Sequence, residues 1–171
     1  MTSRTGISPT PLIRLRVARF DDVAGVLRLV DRAIERGCRR HYGPLERRAV
    51  FASYAQSAFV DVIGPYDTFV AEDHAEALTA FAQLDRSTGR LRALFVDAGL
   101  QGLGVGRALL AHVIARAAAV GCSRVHGAMS LNAVPFYERA GFRRCPGRGQ
   151  LWAAGVAIAV TPMEYAVGAF R

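Results

Sequence analysis

The sequence contains no lysine; all 22 of its basic residues are arginine. No side chain can therefore be modified at an ε-amine, and a P-loop, whose phosphate grip needs Gly-Lys-Ser/Thr, is excluded. Cysteine is scarce, with Cys38, Cys122 and Cys145 far apart and odd in number. No pair has the spacing of a metal site, so no metal is expected, and reduced thiols in a cytoplasmic protein are the reading. Long apolar runs are missing as well, and none approaches the roughly 18–20 residues of a membrane span. The first eleven residues, MTSRTGISPTP, lack the apolar stretch of a signal peptide and read as a flexible tail before one domain over 12–171. Blocks of like charge are also absent. The arginines stand singly or in pairs such as Arg39–Arg40, Arg47–Arg48 and Arg143–Arg144, with no interleaved aromatics. Nucleic acid is thus disfavoured as a partner, and the net charge of +8 suits a smaller anionic ligand.

What is present alternates between two periods. LIRLRVA (12–18) has the two-residue period of a half-buried strand. Val23, Val26, Leu27, Val30 and Ile34 then form one helical face, with Asp21 placed as its N-cap. A loosened GCRRHYG segment leads to a second helix over Pro44–Ala58. Residues 67–73 and 77–84 read as a strand pair, and 90–97 as a further strand after the turn DRSTG. A helix from Arg107 to Val120 presents Leu110, Val113, Ile114 and Ala117 on one face, with Gly121 as its stop. A short strand (123–129) and a short helix (132–141, Asn132 as possible cap) follow. The chain closes in a hairpin over 149–167 turning at Ala154–Gly155, where Pro162 implies an edge or a bulge. Strands and helices mix without strict alternation, which predicts one α/β (α+β) domain around a mostly antiparallel sheet.

Gln101-Gly-Leu-Gly-Val-Gly-Arg107 sits between a predicted strand and a predicted helix. It is not a dinucleotide fingerprint: counting from Gly102, the sixth position is Arg107 rather than glycine. Its glycines leave the backbone amides of 102–108 uncovered where a helix begins, and amides there bind a pyrophosphate by hydrogen bonds and helix dipole without a metal.

LRALFVDAGLQGLGVGRALL, followed some thirty residues later by SLNAVPFYERAGF (130–142), resembles the two shared segments of the GNAT N-acetyltransferases. With the strand–helix order before and the hairpin after, the resemblance covers about residues 12–167. It implies acetyl-CoA as co-substrate. Leu94, Phe95 and Val96 would offer main-chain groups to the pantetheine arm, lying beside it as beside an added strand. Gln101, Gly102, Leu103, Gly104, Val105, Gly106, Arg107 and Ala108 would cradle the pyrophosphate. Asn132 would hydrogen-bond the pantetheine or hold the loop, or only cap its helix. Phe136 would line the thiol end, and Tyr137 would protonate the departing thiolate. The chain departs from the family in one place, with Ala98 and Gly99 where a proline usually follows the strand.

The implied reaction is direct attack of a neutral primary amine on the thioester, with a small-molecule acceptor favoured. The general base stays open: Glu72, Asp97, His41 and His126 are near plausible walls, and none is assigned. Arg39, Arg40, His41 and Tyr42 on one side and Trp152 on the other are expected to wall the acceptor. Two alternatives stand beside this reading, a non-catalytic acetyl-CoA or CoA sensor and a protein N-terminal or lysine acetyltransferase. A homodimer is compatible with all of them, and a membrane partner with none.

Overall fold

The computed structural model describes residues 13–168, and for 56–63 the backbone only. The expected tail, residues 1–11, lies outside the described residues. Among the described residues eight strands form one sheet: β1 (Arg14–Val17), β2 (Asp67–Glu72), β3 (Leu78–Asp85), β4 (Arg90–Val96), β5 (Arg124–Ser130), β6 (Arg143–Arg144), β7 (Gly149–Ala153) and β8 (Val156–Ala166). Their order is β1-β2-β3-β4-β5-β8-β6, with β7 also on β8, and every pairing except β4 with β5 is antiparallel. The mostly antiparallel α+β sheet expected from the sequence is therefore the architecture.

Helices α1 (Val23–Gly37) and α2 (Pro44–Ile63) cover one face, while α3 (Val105–Ala119) and α4 (Val134–Arg139) lie on the other. The α3 face holds the larger core, where Leu109, Leu110, Val113 and Ala117 pack on Leu84, Leu91 and Val125. Val26, Leu29, Val30 and Ile34 of α1 pack on Val70, Phe81 and Ala93 of the opposite face. Leu29 is fully buried, whereas Leu27 is only partly so, which turns the apolar stripe of α1 slightly from the expected one. Helix α2 runs to Ile63 rather than ending at Ala58, since no glycine or proline interrupts it before Gly64. Asp21 does not cap α1. It sits in a short 3₁₀ turn, and the neighbouring Asp22 carboxylate accepts from the Arg19 N–H at 2.6 Å and from Arg16.

The regular pairing of the sheet is interrupted in several places, among them a slip between β2 and β3 where Ala71 faces Ala80 but Glu72 faces Leu78. Between β3 and β4 the register slips so that Gln83 faces Ala93 but Leu84 faces Leu91, leaving Arg92 as a bulge. Pro162 stands inside β8, and the Cys145 N–H donates to its carbonyl at 2.8 Å. Its missing N–H therefore faces the gap between β6 and β7, where no ladder bond is lost. The hairpin turns at Ala154–Gly155 as expected, both with positive φ.

Candidate active site

The glycine loop meets α3 in the manner that an anion site requires. Gly104 is the residue before the helix and has φ +88°, a left-handed conformation that a side chain would resist. No side chain caps the helix, and among the described residues the N–H groups of Gly102, Gly104, Val105, Gly106 and Arg107 have no backbone partner. Two of the expected amides are otherwise used, since Leu103 N–H bonds to Leu100 O and Ala108 N–H to Gly104 O. Val105 turns its side chain into the core. Ahead of the loop, Asp97 accepts from the Gly99 N–H at 3.1 Å and closes a 3₁₀ turn, making the bend that proline would otherwise impose. Burial works against the Asp97 charge, but the Gly99 hydrogen bond and Arg32 outweigh it and hold the carboxyl below its ordinary range.

Strands β4 and β5 part company beside this loop. They pair in register only at Arg90 and His126, where Gly127 lets the backbones close: a Cβ there would stand 2.7 Å from Leu91 O. Beyond that point they splay. The Asp97 N–H reaches back to Thr79 O on β3. By the two-residue alternation of a strand, the polar groups of Val96 and Leu94 then point away from β3 into the gap. Arg92 O faces the same way and accepts from the Tyr54 hydroxyl at 3.1 Å.

Two cavities meet in the gap. The larger, about 760 Å³, is lined by Leu94, Phe95, Val96, Gln101, Gly102, Leu103, Gly104, Gly106, Arg107, Asn132, Phe136 and Arg139, among others. The second, about 380 Å³, runs between α1, α2 and the β7–β8 hairpin. Both are lined by Cys38, Leu94, Phe95, Ser130 and Ala133, which mark the junction. A model of the acetyltransferase (GNAT) domain matches residues 35–167, most of the chain. The chain belongs to the GNAT acetyltransferase family.

Solved structures bear out the GNAT fold. A GCN5-related N-acetyltransferase from Rhodopseudomonas palustris superposes with a TM-score of 0.81 at 21% identity, over 94% of this chain and 98% of that one. PaiA N-acetyltransferase from Thermoplasma acidophilum, solved with coenzyme A, gives 0.76 at 14% identity over 91% and 99%. YncA from Salmonella typhimurium, solved with acetyl-CoA, gives 0.61 at 17% over 92% and 95%. No curated protein matches the sequence.

In this GNAT domain Tyr137 lines the second cavity while remaining 4% exposed. Its ring lies between Phe136 and Phe142, with centroids 5.0 and 5.2 Å away. Among the described residues no hydrogen-bond partner holds its hydroxyl. Burial, with a smaller contribution from Tyr54, pushes the phenol well above its ordinary value, so it stays protonated across the neutral range. Asn132 does not cap α4, whose preceding residue is Ala133. Its Oδ1 accepts from Cys38 Sγ at 3.5 Å across the junction.

The expected wall of Arg39, Arg40 and His41 is not part of either cavity; Arg39 bonds to Glu35 O, and Arg40 and His41 are exposed. Tyr42 does line the second cavity, but its hydroxyl is taken, donating to Ala159 O at 2.7 Å and accepting from Leu131 N–H at 2.8 Å. Trp152 lines it too, although 72% exposed, and so stands at its lip. Arg47, Arg90 and Arg92 supply the positive charge instead. Arg47 was legible in principle, because it falls on the helical face of Val50 and Tyr54 at spacings of three and four. None of the four candidate bases reaches either cavity. Glu72 is buried between Arg14 and Arg16, Asp97 is held by Gly99 and Arg32, and His126 Nε2 lies 3.2 Å from Thr88 O. Among the described residues no group of three or more histidine, cysteine or acidic side chains could hold a metal, and no helix is long and apolar enough to cross a membrane.

Proposed function

We propose that the protein transfers the acetyl group of acetyl-CoA to a small primary amine. One observation carries this reading: the two cavities share Cys38, Leu94, Phe95, Ser130 and Ala133, in the gap between β4 and β5, with Tyr137 beside it. Acetyl-CoA supplies the acetyl group as a thioester, and attack by a neutral amine passes through a tetrahedral oxyanion before the CoA thiolate leaves. The unpaired amides of Gly102 and 104–107 suit the pyrophosphate, with Arg107 and Arg139 beside them. Leu94 and Val96 offer gap-facing main-chain groups to the pantetheine arm. The Val96 N–H is suited to receive the oxyanion. Tyr137 is the proton donor to the departing sulfur, and its burial keeps the proton in place until it is needed.

With no carboxylate or histidine among the described lining residues, the amine gives up its proton to water. The arginines assist by disfavouring the ammonium form. An acceptor cavity of about 380 Å³ without described acidic residues suits a small molecule better than a cationic peptide tail. Following CoA release with a panel of amines tests the reading, with acetyl-CoA binding measured in parallel by calorimetry. Turnover of at least one amine is expected. Binding without turnover of any amine would favour the sensor role, and no binding at millimolar acetyl-CoA would overturn both.

A further inference from the structure

The second cavity is polarised along its length. At the junction its lining is neutral, with Leu94, Phe95, Ser130 and Ala133. Toward the start of β4 it carries Arg90 and Arg92, and from α2 it receives Arg47. The three differ in how far they are engaged. Arg47 donates to Glu35 Oε1 at 3.2 Å and to Tyr42 O at 2.8 Å, so its charge is partly compensated and its remaining nitrogen is unused. Arg92 is held in place by Gln83 Oε1 at 3.3 Å and lies 4.2 Å over the Tyr66 ring. Arg90 is exposed at the mouth, and its guanidinium makes no hydrogen bond or ion pair among the described residues. No acidic residue among those described lines the cavity, so no carboxylate there would pair with a cation.

We propose that the acceptor is a primary amine carrying a carboxylate several bonds from its nitrogen, with the amine at the junction and the carboxylate held by Arg90 and Arg47. This rests on the acetyltransferase reading above. Distance along the strand sets the length. Leu94 and Arg90 face Ala82 and Asp85 of β3 across the Arg92 bulge, three residues or about 10 Å of strand, and the arginine side chain can reach back over part of that distance. An α-carboxylate, two bonds from its amine, is too short to use both ends. A guanidinium offers the carboxylate a fork of two parallel N–H donors, which an amide or an alcohol on the same chain cannot match. Diamines and polyamines are excluded because their second cation would lie against Arg90 and Arg92.

The test uses ω-aminocarboxylates from glycine to 6-aminohexanoate, each paired with its carboxamide, and the diamine of matching length. CoA release is the readout. The expected result is a kcat/KM that rises with chain length, with the longer carboxylates at least about tenfold above their carboxamides, in keeping with a charge-assisted hydrogen bond. Arg90→Glu should remove most of that preference by raising KM, with acetyl-CoA affinity unchanged. Arg40→Glu, the same charge change outside the cavity, should keep it. Equal rates for carboxylates, carboxamides and diamines would overturn the proposal while leaving acetyl transfer standing. An undiminished preference in Arg90→Glu would overturn it as well. Failure of every amine would refute the acetyltransferase reading itself, and this proposal with it.

Discussion

Replacing Tyr137 by phenylalanine removes a single oxygen atom and leaves the ring among Phe136 and Phe142. The hydroxyl has no hydrogen-bond partner among the described residues, so its loss strands no other group. Folding stability should change by no more than about 1 kcal/mol, the net worth of one typical hydrogen bond. Tyr137→Ala is the contrast: it empties a site that is 4% exposed and should cost about 3–5 kcal/mol. The chemical consequence of Tyr137→Phe runs the other way. A proton donor acts only as the carbon–sulfur bond breaks, so kcat should fall between about ten- and a thousandfold, or about 1.4–4 kcal/mol of barrier. Acetyl-CoA affinity should stay within twofold, because the ground state never uses the hydroxyl. The pH profile adds an independent check. The phenol is raised above its ordinary value near 10, so the wild-type rate should not fall on its account until well above pH 10. Any stability gained from the raised value is complete below about pH 10 and fades only as the pH climbs toward the folded-state value. The assay is single-turnover CoA release with a saturating amine, beside thermal melts of all three proteins. Unaltered single-turnover rates in the phenylalanine variant would refute the donor role and leave only packing.

Gly104→Asp should abolish acetyl-CoA binding in calorimetry; Gly121→Asp, also at a left-handed glycine with φ +82° but outside both cavities, should share the backbone penalty of about 1–2 kcal/mol and still bind. Tyr42→Phe leaves Ala159 O and Leu131 N–H without their partner, so a loss of about 2 kcal/mol is expected, read as a melting temperature lower by about 4–8 °C. Glu72 is held below the ordinary carboxylate range by Arg16 first and Arg14 next. Its contribution is therefore present above about pH 4.3 and lost as the pH falls through the lowered value, and Glu72→Gln should unfold at a less acidic midpoint in an acid titration followed by circular dichroism.

The parts of the molecule set by local chemistry were legible in the sequence, and the parts set by distant neighbours were not. Gly104, Gly121 and Gly141 all fall at left-handed positions next to helices, where backbone sterics alone demand them. The strands of 67–97 declared themselves by length, apolar content and bounding turns. By contrast β6, two residues long, has no period to read and exists because β8 offers it an edge. Asn132 looked like a cap because it precedes a helix, yet its partner is Cys38, far away along the chain. Arg39 and Arg40 drew notice as a basic pair in a glycine-flanked loop. Arg47 and Arg90 became cavity residues only through the packing of α2 and the splay of β4, which no window of sequence contains.

The parting of β4 from β5 also bears on how the protein behaves at high concentration. An unpaired row of backbone donors and acceptors at the rim of a sheet is a template on which other chains can add strands. Here the row at Leu94 and Val96 is recessed, with β5 and its neighbours standing across the gap and α3 and α4 closing one side. A narrow extended arm can enter such a slot end-on, whereas a second sheet cannot approach it broadside. The protein can thus keep a strand's worth of hydrogen-bonding capacity unspent without inviting self-assembly through it. The outer edge of β7, with Leu151 and Trp152 exposed, has no such shelter, so edge-to-edge association should begin there and be blocked by a proline at Gln150, whose N–H points away from β8.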